Sequence, residues 1–334
     1  MTLERLLIIR LSSIGDIVLT TPLIRQARQA FPHAQIDFLT RSAFAELLVH
    51  NPYLSHVHAL ENFRPTHYDA CIDLQNSFRS RWLRRSLARH VAVYRKENWK
   101  KLLLIWFKWN LLANSLPVPL RYLSACRKFG IEDDGKGCEL FLSESAKRFA
   151  AEAIEPKTTL AVCYGAAHFT KRFPIDKLAL VLNALLKTQD VQVILLGGKD
   201  DAALGANLLA LLSHRQAVKD FSGKCSLLET AALLARADAI LTNDTGLMHI
   251  GAAFQKPIVA VFGSSVKEFG FMPFRTPYQI LEREGLPCRP CSHIGRKSCP
   301  AKHFKCMREI EPLAVVQAVL SALDRRTSTL AHET

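Results

Sequence analysis

Residues 5–22, Arg-Leu-Leu-Ile-Ile-Arg-Leu-Ser-Ser-Ile-Gly-Asp-Ile-Val-Leu-Thr-Thr-Pro, contain the order of elements that decides the fold. Residues 5–11 form a short apolar run, which predicts a buried strand. A loop of small residues follows and opens a helix. Similar apolar runs alternate with amphipathic segments along the rest of the chain, which predicts parallel sheets wound with helices and an α/β fold.

The other predicted strands form two series, separated by a polar, glycine-containing stretch at residues 135–137. The first series is 35–40, 56–60, 70–74 and 91–94, and the second is 159–164, 191–197, 239–242 and 257–263. We therefore predict two wound domains, residues 1–150 and 151–312. A last apolar helix at residues 313–324 begins a C-terminal segment, 313–334.

Composition limits the class of protein. The 334 residues are 49% hydrophobic and 22% charged, which excludes an intrinsically disordered chain. A formal net charge of +14 indicates an anionic partner such as nucleic acid, phospholipid headgroups or a phosphorylated glycan. The sequence shows no apolar run of about 18 residues and no secretory signal pattern, so we expect a cytoplasmic protein with reduced cysteines.

Basic and aromatic residues are concentrated between residues 78 and 108, where ten Lys or Arg accompany the single acid Glu97. All four tryptophans lie in or beside this stretch, at Trp82, Trp99, Trp106 and Trp109. The stretch is typical either of solvated helix faces with aromatics in the core or of a surface that docks on membrane phosphates.

The first strand-to-helix junction carries Asp16. The loop resembles neither a dinucleotide fingerprint nor a Walker A loop, because both glycine patterns are absent. Asp16 either complements the dipole of the helix that it opens or acts as a general base at the carboxyl end of strand one, the edge where wound domains bind ligands.

A second junction, residues 239–249, again runs from a strand into a helix. Its side chains Asn243, Asp244 and Thr245 suit helix caps or a diphosphate or ribose site, and Gly246 allows close approach of the backbone. His249 lies inside the helix, where a satisfied histidine is the simple alternative. Residues 164–174 form a third loop, in which Lys171, Arg172 and the Thr170 hydroxyl suit a leaving diphosphate or a solvated loop.

Together these segments resemble glycosyltransferase family nine, the ADP-heptose:lipopolysaccharide heptosyltransferases. The resemblance spans residues 5 to about 320, and its most specific element is Asn-Asp-Thr-Gly-Leu-Met-His at 243–249. It implies a GT-B fold of two facing Rossmann-like domains with parallel sheets, the acceptor on residues 1–150 and the donor on 151–312. It also implies that the segment 313–334 packs back on the first domain.

The resemblance implies an inverting, metal-independent transfer without a cofactor. Asp16 is then the catalytic base, and ADP-heptose is the donor. The donor-site residues are Thr170, Lys171, Asp244, Thr245, Gly246 and His249, with Asp200 or Asp201 on the donor ribose. The acceptor-site residues are Ser12, Ser13, Gly15, Arg79 and Arg81.

The implied acceptor is an anionic lipopolysaccharide precursor with Kdo or heptose at the inner core. The enzyme is then peripheral on the cytoplasmic face of the inner membrane, and nucleic acid is not a partner. Two alternatives stay open. One is a relative that uses another nucleotide sugar for a surface polysaccharide, and the other is a non-catalytic anion- or nucleic-acid-binding protein.

A cysteine-rich segment lies near the C-terminus, with Cys288, Cys291, Cys299 and Cys306 between residues 287 and 308. Four thiols suit tetrahedral zinc, but the later gaps do not match a zinc ribbon. The segment also holds six Lys or Arg and no acid, so we predict reduced thiols in a basic loop, with zinc as the alternative.

Overall fold

A computed structural model describes residues 3–330, with the side chains beyond Asp324 left out. Its described residues form two parallel sheets. The first contains β1 (Arg5–Ile9), β2 (Gln35–Thr40), β3 (His56–Ala59), β4 (Tyr68–Asp73) and β5 (Ala88–Val93), in the order β3-β2-β1-β4-β5. The second contains β6 (Thr159–Cys163), β7 (Gln192–Leu196), β8 (Val218–Asp220), β9 (Ala239–Asn243), β10 (Ile258–Phe262) and β11 (Tyr278–Glu282), in the order β11-β10-β9-β6-β7-β8.

Helices connect the strands as the alternating pattern predicts. Those of the first half are α1 (Ile14–Val18), α2 (Thr21–Ala30), α3 (Ser42–Ala45), α4 (Phe78–Leu87), α5 (Asn98–Phe107) and α6 (Val118–Ala125). Those of the second half are α7 (Glu144–Ala153), α8 (Ile175–Thr188), α9 (Ala202–Ala210), α10 (Leu227–Arg236), α11 (Gly246–Ala253), α12 (Lys305–Arg308) and α13 (Pro312–Leu330). The α/β fold of two wound sheets is confirmed.

The central strands are apolar on both faces because helices cover both sides of each sheet. β6, β7, β9 and β10 are buried along their whole length. The strands β8 and β11, which the sequence analysis missed, lie at the two edges of the second sheet and are only partly buried.

Two helices near the predicted domain boundaries, α7 and α13, pack on elements of the second half of the chain. α7, which a boundary at residue 150 places in the first domain, packs against α10. The described part of α13 packs on α8 and on β9, β10 and β11. Its buried residues, Val315 and Val319 among them, belong to the core of the second domain. The expected packing of the segment 313–334 on the first domain stays a prediction, because part of that segment lies outside the described residues.

The described helices differ from membrane-spanning helices in length or hydropathy. None of them combines the length and the hydropathy that a membrane-spanning segment needs.

Candidate active site

Strand order places a crevice at the same position in each sheet. In the first sheet the chain leaves β1 toward β2 and later returns to the other side of β1 as β4. In the second sheet β6 has β7 on one side and β9 on the other. Ligands of wound α/β sheets bind at such switch points, outside the carboxyl ends of the strands. The loops after β1, β6 and β9, all singled out from the sequence, lie there.

The junction between β1 and α1 holds a buried ion pair. Arg10 Nη2 lies 2.6 Å from Asp16 Oδ1. The guanidinium is fixed by two carbonyls, since Arg10 Nε donates to Ser12 O at 2.8 Å and Nη1 donates to Leu74 O at 2.6 Å. Burial acts to raise the pKa of Asp16, but Arg10 outweighs it and holds that pKa below its usual value. Asp16 is therefore a carboxylate at neutral pH.

The two carboxylate oxygens of Asp16 have different surroundings. Oδ1 pairs with Arg10 and also accepts a long bond from Tyr122 Oη, at 3.4 Å. Oδ2 accepts only long bonds from Ser13, at 3.3 Å from the backbone nitrogen and 3.2 Å from the hydroxyl. Asp16 thus forms a capping box with Ser13 at the start of α1, and Oδ2 is the oxygen with the weaker contacts.

The junction between β9 and α11 pairs its own acid with a cation from another loop. Asp244 Oδ2 lies 2.7 Å from Lys171 Nζ and also accepts a bond from the Ser265 hydroxyl. Asn243 does not cap the helix, because its amide donates to Tyr164 O at 2.7 Å and accepts from Phe173 N at 3.0 Å. Asn243 therefore ties the β6 loop to β9, and Asp244 remains beside the helix start.

Three buried polar atoms around this junction have no hydrogen-bond partner among the residues that the structure describes. They are Thr245 Oγ1, Ser264 Oγ and His249 Nδ1. Thr245 is the residue that precedes α11, and Ser264 is next to the Ser265 that binds Asp244. Because an unpaired buried polar group is costly, such a set is typical of a site whose ligand supplies the missing bonds. Burial lowers the pKa of His249 to about 4, so its imidazole is neutral at physiological pH.

The β1–α1 junction and the β9–α11 junction are in contact at two glycines, Gly15 and Gly246. A Cβ on Gly15 would lie 2.6 Å from His249 Cδ2, and one on Gly246 would lie 2.7 Å from Ile14 Cβ. Without these side chains, the first turns of α1 and α11 approach closely. Asp16 of the first domain and the N-terminus of α11 in the second consequently face one cleft. Gly15 allows this close packing, and its predicted contact with the acceptor stays a prediction.

Two other residues predicted at the donor site, Thr170 and Asp200, follow β6 and β7 respectively. Thr170 is buried, and its hydroxyl oxygen accepts a bond from Arg296 N at 2.9 Å, so it holds the cysteine-rich loop. Asp200 is exposed, whereas Asp201 Oδ2 accepts from Gly198 N at 3.0 Å. Asp201 also lies 3.8 Å from Arg172, so the structure favours it over Asp200 beside the β6 loop.

Positive charge surrounds Asp16 from residues that sequence reasoning did not select. Lys96 and Lys101 each interact electrostatically with Asp16, and Arg121 interacts with Lys101. Lys101 is buried, with Nζ 5.6 Å from the Phe271 ring centroid, and burial together with Arg121 lowers its pKa to about 8. Lys101 and Leu104 are the two buried residues of α5, so their three-residue spacing was the available signal.

Arg79 and Arg81, the predicted acceptor-binding arginines, are exposed on α4. The arginine that reaches the carboxyl end of β4 is Arg84, whose Nη1 lies 2.7 Å from Asp73 Oδ2. The reason is helical spacing, since Ser80, Leu83 and Leu87 turn inward and bring Arg84 toward the sheet. Ser12 and Ser13 stay at the cleft beside Asp16, half-buried and exposed respectively.

The four cysteines of the C-terminal segment line one cavity, together with His303. Cys288 Sγ lies 3.9 Å from His303 Nε2, but no three of these ligand atoms in the described structure come within 4.8 Å of one another. The described group that does so is Asp37, His56 and His58, on neighbouring strands of the first sheet. The cysteine loop supports the donor side, since Arg289 donates to Gly263 O and Ser265 O, each at 2.7 Å.

Two facing wound domains with parallel sheets are the architecture of the GT-B fold. Solved structures support this fold. The crystal structure of the glycosyl transferase family 9 from Veillonella parvula DSM 2008 aligns with a TM-score of 0.79 at 19% identity, over 96% of this chain and 98% of that one. The structure of E. coli ADP-heptose lps heptosyltransferase II aligns with a TM-score of 0.75 at 22% identity, over 97% and 99%.

Sequence comparison identifies the family. Residues 56–302 match Glycosyltransferase family 9 (heptosyltransferase). Lipopolysaccharide heptosyltransferase 2 of Escherichia coli K12 is 26% identical over 309 residues, covering 79% of this chain and 84% of that protein. The chain belongs to glycosyltransferase family 9 and is a glycosyltransferase, so the reading as a non-catalytic binding protein is not supported.

Proposed function

We propose that this enzyme transfers heptose from ADP-heptose to the Kdo- or heptose-bearing inner core of a lipopolysaccharide precursor, with inversion and without a catalytic metal. The observation that carries the proposal is the cleft itself. Asp16 faces the N-terminus of α11, where Thr245, Ser264 and His249 have polar atoms without a partner among the described residues. Its relatives' names supply the sugar and the acceptor class.

The reaction is a single displacement. The acceptor hydroxyl oxygen attacks the anomeric carbon of the donor, and its proton passes to Asp16 Oδ2 as the new bond forms. The bond between the anomeric carbon and the diphosphate breaks on the opposite side, and its electron pair leaves with ADP. Attack and departure on opposite faces invert the configuration.

Charge on the departing diphosphate is stabilised by groups of the second domain. Lys171 supplies a cation, while the start of α11 supplies backbone N–H groups and the positive end of the helix dipole. Asp244 orients Lys171 and retains oxygen lone pairs for donor hydroxyls. Since Lys171 and the helix supply the positive charge, no step of the transfer needs a metal.

The acceptor's acidic groups are assigned to the cations beside Asp16. Lys96 and Lys101 interact electrostatically with Asp16, and Arg121 interacts with Lys101, whereas Arg79 and Arg81 are exposed on α4. Carboxylates of Kdo or phosphates of the core suit these cations. An acceptor anchored in lipid places the enzyme peripherally at the cytoplasmic face of the inner membrane.

The test is transfer from ADP-heptose to purified Kdo-containing lipid acceptor, with and without chelator, by wild type and Asp16→Ala. We expect chelator-resistant transfer by the wild type and none by the variant, with the product anomer inverted by NMR. Activity lost to chelator and restored by a divalent metal contradicts metal independence. If only another nucleotide sugar or another polysaccharide acceptor supports transfer, the donor and acceptor assignments are wrong.

A further inference from the structure

Helix α5 has two faces of different chemistry. Its inner face carries the buried residues Lys101 and Leu104, and Leu104 packs with Phe269 of the second domain. Lys101 also lies over the rings of Phe269 and Phe271, so the inner face borders the interdomain cleft. The helix therefore stands beside the candidate active site, and its other face turns away from the protein.

The outer face of α5 is aromatic and open to solvent. Trp99, Leu102 and Trp106, at spacings of three and four residues, are 57%, 46% and 70% exposed. Phe107 at the helix end and Trp109 just beyond it are each 62% exposed. We call these five residues the aromatic face. The tryptophans of the basic stretch therefore do not fill a core, which contradicts one of its two interpretations; Trp82 on α4 is exposed as well.

Positive charge borders the aromatic face. Lys108, at the end of α5, donates from Nζ to Pro290 O at 2.9 Å and so holds the basic loop of residues 287–308 against the helix. That loop exposes Arg296, Lys297 and Lys302, together with the apolar Ile294. Glu97, the single acid of residues 78–108, is paired with Lys100. Cations around exposed tryptophans suit an anionic, partly apolar partner.

We propose that the aromatic face inserts into the headgroup region of a bilayer that contains anionic phospholipid. Tryptophan favours the boundary between water and hydrocarbon, and basic side chains beside it are attracted by anionic headgroups. A second copy of this chain is a poor occupant, since its net charge of +14 repels another copy. Docking through α5 sets the cleft next to the lipid surface, which extends the proposed function but rests on separate observations.

The experiment uses the full chain, without donor or acceptor, and sucrose-loaded vesicles that are either pure phosphatidylcholine or contain phosphatidylglycerol. We expect the protein to sediment with phosphatidylglycerol vesicles, and its tryptophan emission to shift to the blue. The double variant Trp99→Ser/Trp106→Ser should bind on the order of tenfold more weakly, because it loses two interfacial anchors. Binding should also fall with salt, since headgroup attraction is screened.

The matched control is Leu180→Ser, which removes a 59% exposed apolar side chain from α8 of the other domain and should bind like the wild type. Circular dichroism melting should show all variants folded, since the changed side chains are exposed. Vesicle binding that is unchanged in the double variant overturns the proposal. So does a dimer, seen by ultracentrifugation, that the double variant abolishes while neither protein binds vesicles.

A failure of membrane docking can be distinguished from a failure of the proposed transfer reaction. Transfer to a delipidated, soluble acceptor does not need the membrane, so the double variant should retain it. Vesicle binding without transfer would contradict only the proposed reaction. Transfer without vesicle binding would contradict only membrane docking through the aromatic face.

Discussion

The two strand-to-helix junctions of the cleft share one plan and use it differently. Each runs from a buried strand through an acid into a helix, and each acid is paired with a cation at about the same distance: 2.6 Å for Asp16 and Arg10, 2.7 Å for Asp244 and Lys171. Arg10 comes from the same junction as its acid, whereas Lys171 reaches Asp244 from the loop after β6.

The difference indicates a division of labour. The first junction satisfies its own groups and holds both carboxylate oxygens of Asp16, which suits a base held in place. The second brings in a cation from outside and leaves hydroxyl and imidazole atoms unpaired around a helix start, which suits an anion that comes and goes. Variants of matched residues in the two junctions test this division.

The largest effect is expected from exchanging the two acids for amides. Asp16→Asn should lower kcat by about 10²–10⁴-fold, the range for loss of a general base, and leave ADP affinity unchanged. Asp244→Asn should chiefly weaken donor binding, by about tenfold, because one charge-assisted bond is lost. Steady-state kinetics and calorimetric titration with ADP measure both. A donor-affinity defect in Asp16→Asn would erase the distinction between the junctions.

The next effect is expected at Lys171. Lys171→Met should lower kcat by about 10²-fold, since one preorganised cation on the leaving group is lost. It should weaken ADP binding but leave adenosine binding unchanged. Because the single variant strands the buried Asp244 carboxylate, Lys171→Met/Asp244→Asn serves as the control for folding. A double variant that recovers both stability and transfer would show that Lys171 only neutralises Asp244.

His249 gives the second junction a pH dependence of its own. Burial lowers its folded-state pKa from 6.5 to about 4, so the unfolded chain binds the proton more tightly. The stability that follows is present above pH 6.5 and lost as pH falls toward 4, amounting to about 2–3 kcal/mol. Urea unfolding at pH 7 and pH 4.5 should show a smaller loss for His249→Gln than for wild type. Equal losses would mean that His249 is solvated in the native state.

These junctions also show what sequence alone can predict. Buried parallel strands are continuous apolar runs, so the central strands and the loops after them were found. The half-buried edge strands β8 and β11 carry a weaker signal and were missed. The sequence alone does not tell Asp200 from Asp201, or Arg81 from Arg84, as the residue that reaches the site. That choice depends on which side of the helical turn faces the edge of the sheet. Lys101 was missed because its importance comes from Phe269 and Phe271, which lie more than a hundred residues away in the chain.

The smallest effect is expected where the two junctions touch. An alanine Cβ at Gly246 would lie 2.7 Å from Ile14 Cβ and 3.1 Å from the Gly15 backbone nitrogen, which cannot move alone. At Gly15 it would meet the His249 ring at 2.6 Å, and a side chain yields more easily than backbone. Each substitution should destabilise the protein by about 1–2 kcal/mol, with Gly246→Ala the worse. Gly198→Ala is the control, because its nearest atom is 3.8 Å away. Thermal melting ranks the three, and a neutral Gly246→Ala would mean that the domains stand farther apart in solution, with Asp16 correspondingly farther from the start of α11.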